Sequence, residues 1–271
     1  MPELPEVETI ARGLGREIEG AIIDSVEIRH VCAVEGEPGD FAGSLEGARV
    51  TGVSRRGKVL LVNFGPELVM AVHLRMTGRL VVEPAGAEPG KHTHLVMDLA
   101  DGRRLFYSDT RKFGSCRAGA PARLNEWPFF KTLGPEPLEM SGKEFAELFK
   151  GKKARIKAML LDQKIIAGIG NIYADEALFR AGIRPDARAA DISEKRLKGL
   201  HASLVEVLNE AIAANGSSFS DYVDSGGNAG AFQNYFRVYG RAGEPCRICG
   251  NVLSKCKVAG RSTTFCERCQ R

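Results

Sequence analysis

The run Lys131-Thr132-Leu133-Gly134-Pro135-Glu136-Pro137-Leu138-Glu139-Met140-Ser141 separates two regions whose apolar residues repeat with different periods. Two prolines and a glycine with little apolar pattern predict an interdomain hinge, placed at 134–141. Upstream lie short runs rich in Val, Leu and Ile, at 22–30, 48–55, 58–64, 68–74, 94–99 and 103–107. Turn signals separate them: Asp101-Gly102 is a hairpin marker, and Phe64-Gly65-Pro66 is a second turn. Strands so spaced, with no helices between them, predict an antiparallel sandwich over 1–133 rather than a βαβ fold.

Downstream the period becomes helical, at 142–149, 154–161, 172–181 and 193–214. In the last of these, Leu197, Leu200, Leu204, Val207, Leu208, Ala211 and Ile212 form one stripe, and Asp191 with Glu194 reads as its capping pair. A polar loop with four glycines follows at 215–231 and is a lid candidate, because long structureless loops in compact domains are commonly functional. The expected class is α+β in two domains. A helix and antiparallel β-sandwich (1–133) precede a helical domain (142–232) that carries the loop, and a cysteine-rich hairpin (233–271) closes the chain.

Composition is that of an ordinary globular protein, 44% hydrophobic and 27% charged, which excludes disordered and fibrous classes. An apolar run of about 18 residues is absent and the N-terminus is acidic, so neither a membrane span nor a signal peptide is expected and the protein reads as intracellular. The net charge of +4 is unevenly spread. Residues 1–40 carry three arginines against ten acidic residues, whereas 233–271 carry eight Lys and Arg against two Glu. Such a basic segment suits a polyanion such as nucleic acid, and equally a solvated face.

Seven cysteines argue against a closed disulfide framework. Cys246-x2-Cys249 and Cys266-x2-Cys269, 16 residues apart, have the spacing of a four-thiolate zinc site. Four thiolates fill a tetrahedral shell, so one structural Zn2+ is expected, with no open position for Lewis-acid chemistry. Lys255, Lys257 and Arg261 lie between the two pairs, where a metal-held hairpin would present them to phosphates. Cys32, Cys116 and Cys256 read as reduced structural thiols.

Three further groups carry chemistry. Gly168-Ile169-Gly170-Asn171 opens a predicted helix, where backbone amides and Asn171 can hold a phosphate. Just upstream, Lys150, Lys152, Lys153, Arg155, Lys157 and Lys164 are balanced only by Asp162. In the sandwich, Lys58, His73 to Gly78 and Asp109 to Gly114 place Met76 and Phe113 beside Arg75, Arg111 and Lys112. Met76 and Phe113 are core residues on the ordinary reading, but flanking turns and cations they also suit a wedge in a base stack. His92 and His94, beside Lys91, have the spacing of a metal pair, but without a third ligand nearby they read as phosphate contacts or structural residues.

At the N-terminus, Pro2-Glu3-Leu4-Pro5-Glu6 precedes a helical stripe of Val7, Ile10, Ala11, Leu14 and Ile18. Removal of Met1 would leave Pro2 as a secondary amine at a helix start. An α-amine titrates at about 7.7–8.0 and a helix dipole lowers it further, leaving a neutral, nucleophilic fraction. A chain retaining Met1 would lock that nitrogen in a peptide bond.

These motifs, with Tyr239-Gly240-Arg241 and the closing Gln270-Arg271, occur in the order in which the chain resembles the bacterial formamidopyrimidine-DNA glycosylases, the family shared with endonuclease VIII. Leu4 and the Met76, Arg111, Phe113 set resemble the branch acting on oxidised purines. The resemblance implies a helix-two-turns-helix segment around 168–176, a zinc-finger hairpin and a monomer that acts on damaged double-stranded DNA in the bacterial cytoplasm, at the nucleoid. It further implies Pro2 as nucleophile, Glu3 as proton donor to the sugar, Lys58 as a phosphate contact that assists elimination, and Arg261 in the catalytic set. Met76, Arg111 and Phe113 would fill the gap left by a flipped nucleotide, and the 217–230 loop would cover the extruded base. His73, His92, Lys157, Asn171, Tyr239 and Lys255 would contact the DNA. Glu6 would anchor the first helix or assist catalysis.

Overall fold

The computed structural model describes residues 1–218 and 229–271. Its contacts divide the chain into two units, Met1–Lys131 with Asn215–Ala231, and Thr132–Ala214 with Phe232–Arg271.

The first unit opens with helix α1 (Leu4–Ile18). Leu4, Val7, Ile10, Ala11, Leu14 and Ile18 are each at most 3% exposed, so the apolar stripe read from the sequence is the buried face. Each larger side chain among them contributes roughly 1.5–3 kcal/mol relative to exposure. Strands β1 (Ile23–Ile28), β5 (Gly78–Glu83), β6 (Thr93–Leu99) and β7 (Arg104–Asp109) form one antiparallel sheet in the order β1-β6-β7-β5. Strands β2 (Gly52–Arg56), β3 (Val59–Asn63), β4 (Val69–His73) and β8 (Ser115–Gly119) form the other, in chain order. Aliphatic side chains of β3 and β4, such as Leu60 and Val72, join Leu80, Leu95 and Tyr107 of the first sheet and the α1 stripe in one core. The sandwich expected from the sequence is present.

Some elements escaped the pattern. Helix α2 (Pro38–Leu45) buries only Phe41 and Leu45, too few to mark a period. Strand β8 reads Ser-Cys-Arg-Ala-Gly, a weak strand former held by its ladder to β4. Strand β5 begins at Gly78, within what read as a turn. Short helices α3 (Pro121–Leu124) and α4 (Pro128–Lys131) follow, and Trp127 and Leu124 cover Val59, Val69 and Ala71 on the outer face of the second sheet.

The second unit holds α5 (Gly142–Phe149), α6 (Ile156–Leu161), α7 (Asn171–Arg180), α8 (Glu194–Ala213) and the hairpin β9 (Ser254–Val258) to β10 (Arg261–Phe265). The cap of α8 is Ser193, whose side chain accepts from the Arg196 amide, and not Asp191. The Gly-Pro run after Lys131 is packed rather than free. Gly134 donates to the Gln163 carbonyl at 2.8 Å, the Pro135 carbonyl accepts from Ala167, and the Pro137 carbonyl lies 3.0 Å from His201 Nε2. A Cβ on Gly134 would come within 2.5 Å of the Ile165 backbone, so the glycine serves close approach.

Candidate functional site

The N-terminal cluster is built on the start of α1. Pro2 and Glu3 are buried, and Glu3 is the N-cap of a reciprocal capping box with Glu6. One Glu6 oxygen accepts from the Glu3 amide at 2.8 Å. The other accepts from the amide and hydroxyl of Ser217, at 2.8 and 3.1 Å. A single carboxylate thus fixes the backbone after Pro2 and the residue that enters the polar loop. Near the loop's far end, Gly230 donates to the Ser218 hydroxyl, and a Cβ there would collide with the Gly216 carbonyl. The covering-loop residues between, 219–228, lie outside the described residues.

A second cluster surrounds His73 at the end of β4. The ring is 3% exposed and packs on Phe129, 5.1 Å between centroids, with the Arg75 guanidinium over the same phenyl ring. Burial first, then the positive charges of Arg75 and Lys58, hold His73 down at about 3, so it is neutral at physiological pH. Its Nδ1 accepts from the Arg75 amide at 3.2 Å, which puts the proton on Nε2 as a donor. Lys58, 5% exposed, sits in the turn between β2 and β3.

Met76, Arg111 and Phe113 occupy two turns far apart in sequence. Phe113 is 58% and Met76 39% exposed, unusual for large apolar side chains, and the Arg111 guanidinium lies over the Phe113 ring at 4.7 Å. Both turns are strained: Arg75 and Lys112 have φ of 52° and 56°, in the left-handed region that non-glycine residues avoid. Asp109 ties the turns together. Its carboxylate accepts from the Arg111, Phe113 and Gly114 amides at 3.1, 2.8 and 2.8 Å and from the Thr77 hydroxyl. Gly114 has no room for a side chain, since a Cβ would lie 2.7 Å from the His73 carbonyl. His92 is half-buried and receives the Asp109 amide on its carbonyl, while His94 Nε2 lies 2.7 Å from the Asp109 carbonyl.

In the second unit the four cysteines converge, with ligand atoms within 4.8 Å of one another. The Cys246–Cys269 and Cys249–Cys266 sulfurs are 3.9 and 3.5 Å apart. A tetrahedral ion with Zn–S bonds of about 2.3 Å sets its sulfurs about 3.8 Å apart, so the four fit one zinc. Phe179, Val238 and Leu253 pack around them. Hydrogen bonding from the Asn251 amide pulls the Cys249 thiol down to about 7, whereas burial raises Cys266 and Cys269, so binding of the ion itself must drive their deprotonation. The centre is a structural zinc site.

The β9–β10 hairpin turns through Ala259 and Gly260, both at positive φ, and leaves Lys255, Lys257 and Arg261 exposed. Asn171, first residue of α7, donates to the Ser262 carbonyl at 3.0 Å. Two neighbouring carboxylates on α7, which lie inside the 168–176 stretch but carried no individual role in the sequence reading, fix what surrounds it. Asp175 pairs with Lys157 at 2.6 Å and accepts from the Thr264 amide. Burial pushes Asp175 up to about 6 against the pull of Lys157. Glu176 accepts from three successive amides, Arg237, Val238 and Tyr239, at 2.8–2.9 Å, and so shapes the Tyr239 segment. The only sequence signal for them was two acids inside an otherwise apolar helix face.

Lys157 corrects the sequence reading. Its side chain is 0% exposed, and its ammonium also contacts the Thr263 hydroxyl at 2.7 Å and the Ser262 carbonyl at 3.3 Å. An ammonium enclosed and paired in this way braces the hairpin and is not presented at the surface where its basic neighbours lie. Of the other cysteines, Cys116 is buried in the core and Cys32 is exposed.

Fold and site thus define an antiparallel sandwich carrying a capped N-terminal start, and a helical unit bearing a zinc-held basic hairpin. Family descriptions match along the chain: the formamidopyrimidine-DNA glycosylase N-terminal domain at 1–116, its H2TH domain at 133–223, and the zinc finger found in FPG and IleRS at 243–271. Formamidopyrimidine-DNA glycosylases of Desulfitobacterium hafniense and Bacillus subtilis are 46% and 43% identical, covering 100% of this chain and 100% and 99% of theirs. A Lactococcus lactis FPG mutant (G226P) in complex with Fapy-dG-containing DNA superposes with a TM-score of 0.93 at 38% identity, covering 100% of both chains. The L. lactis enzyme with abasic-site DNA gives 0.92 at 39% identity over 99% of both chains. The chain belongs to the formamidopyrimidine-DNA glycosylase family. Among the described residues, no helix is long and apolar enough to cross a membrane.

Proposed function

We propose that the protein is a monomeric bifunctional DNA glycosylase and AP lyase that removes oxidised purines, 8-oxoguanine and formamidopyrimidines, from duplex DNA in the bacterial cytoplasm. The observation that carries this reading is the capped start of α1, where Glu3 caps the helix and Glu6 holds the Glu3 amide, the backbone group that directly follows Pro2. After methionine removal the Pro2 nitrogen attacks the sugar C1′ and the C1′–base bond breaks, the base leaving with the electron pair and a proton. Glu3 gives a proton to the ring oxygen as the sugar opens, and the product is an iminium cation. That cation acidifies the neighbouring C–H bonds, so the 3′ and then the 5′ phosphate are eliminated. Lys58 and the neutral, Nε2-protonated His73 serve the phosphates, and Asn171, Tyr239, Lys255 and Arg261 clamp the backbone. Met76, Arg111 and Phe113 occupy the gap left by the flipped nucleotide, with Arg111 facing the orphaned cytosine. Zinc supplies only the stiffness of the hairpin.

Borohydride reduction during turnover on 8-oxoguanine duplexes is the test. A covalent protein–DNA species attached at Pro2, on protein whose mass shows Pro2 first, is the expected result; no such species would end the proline mechanism. Parallel excision from duplexes bearing thymine glycol separates the purine from the pyrimidine specificity.

A further inference from the structure

Asp109 has no part in the chemistry above, yet its 1%-exposed carboxylate receives four donors from both exposed turns. The Thr77 hydroxyl extends the tie, since it donates to Asp109 and accepts from the Arg111 amide at 3.1 Å. Met76 and Phe113, each next to a residue in left-handed backbone, are therefore aimed by one buried anion. Burial opposes that charge, but the hydrogen bonds from Thr77, Gly114, Arg111 and Phe113 outweigh it and hold the carboxyl below its ordinary value. The second sheet joins the arrangement through Gly114, which fits directly against the His73 carbonyl.

We infer that Asp109, through Thr77, is a positioning residue that locks the Met76 turn to the Arg111–Phe113 turn, so that the three side chains enter the base stack as one preformed wedge and opposite-base selection depends on this lock. The inference rests on the wedge role proposed for those residues. Its physical basis is preorganisation: strained turns held before binding cost nothing to order during extrusion, whereas loosened turns must be ordered at that moment. Asp109→Asn keeps the size of the side chain but replaces one acceptor oxygen by an NH2 group that faces donors. Thr77→Val removes the hydroxyl bridge and keeps the shape.

The experiment compares excision of 8-oxoguanine paired with cytosine or adenine in duplex DNA against cleavage of single-stranded abasic DNA, which has no stack to wedge and no opposite base. For Asp109→Asn and Thr77→Val, duplex excision should fall about tenfold or more while single-strand cleavage stays within about twofold, a barrier change of about 1.4 kcal/mol or more confined to extrusion. The preference for cytosine over adenine should narrow, and Thr77→Ser should restore both. Phe113→Ala is the reference. If it leaves duplex excision unchanged, the wedge reading and this inference fall together. If it lowers excision but Thr77→Val behaves as wild type, the wedge stands and the positioning role is overturned. Should Asp109→Asn fold poorly, the Thr77 pair decides alone.

Discussion

The Lys157 ammonium lies 2.6 Å from the Asp175 carboxylate, with side chains 0% and 1% exposed. Removing one partner leaves the other charge buried and unpaired. Lys157→Met should lower unfolding free energy by about 3–5 kcal/mol, whereas Lys157→Met with Asp175→Leu should cost much less. Urea unfolding of the two variants checks this; equal losses would show that the pair is not the brace of the hairpin.

Glu176 holds three successive amides that lead to Tyr239. Glu176→Gln keeps the shape but weakens charge-assisted bonds worth roughly 1.5–3 kcal/mol each. Affinity for an abasic-site duplex should drop while the slope of affinity against salt stays the same, because no phosphate-contacting cation is removed. A changed slope would argue that Glu176 acts on the charge of the interface and not on its shape.

His73 gives the protein an acid-sensitive joint. Its folded value, about 3, lies below the ordinary 6.5, so the unfolded chain binds the proton first. The stability it contributes is complete above about 6.5 and is lost progressively as pH falls toward 3. Thermal unfolding followed between those limits should show a steeper loss for wild type than for His73→Gln, and identical slopes would exclude His73 as the cause.

Zinc removal by a chelator, or Cys249→Ala, should abolish binding to lesion DNA by melting the hairpin that carries Lys255 and Arg261, since metal binding is folding free energy in such small sites. Gel-shift titration with metal analysis tests it. Undiminished affinity in zinc-free protein would detach the hairpin from DNA binding.

Much of this was written locally. The cysteine spacing specified the metal because ligand number and geometry follow from residue type, and the α1 stripe and the Asp101-Gly102 turn were legible because helix period and turn chemistry are short-range. Glu6 read as an anchor or a catalytic group, and its bonds to Glu3 and Ser217 supply the anchoring contacts. What the tertiary structure alone decided was where buried charges find their partners. Asp109 bonds Thr77 across 32 positions, and Asp175 bonds Thr264 across 89. Lys157 resembled its basic neighbours until the fold enclosed it, and the close approach of Gly134 to the Ile165 backbone could not be read from the hinge sequence. A carboxylate in a sequence carries only its charge. Whether it meets solvent, a lysine or a row of backbone amides depends on which distant segments the packed core brings beside it.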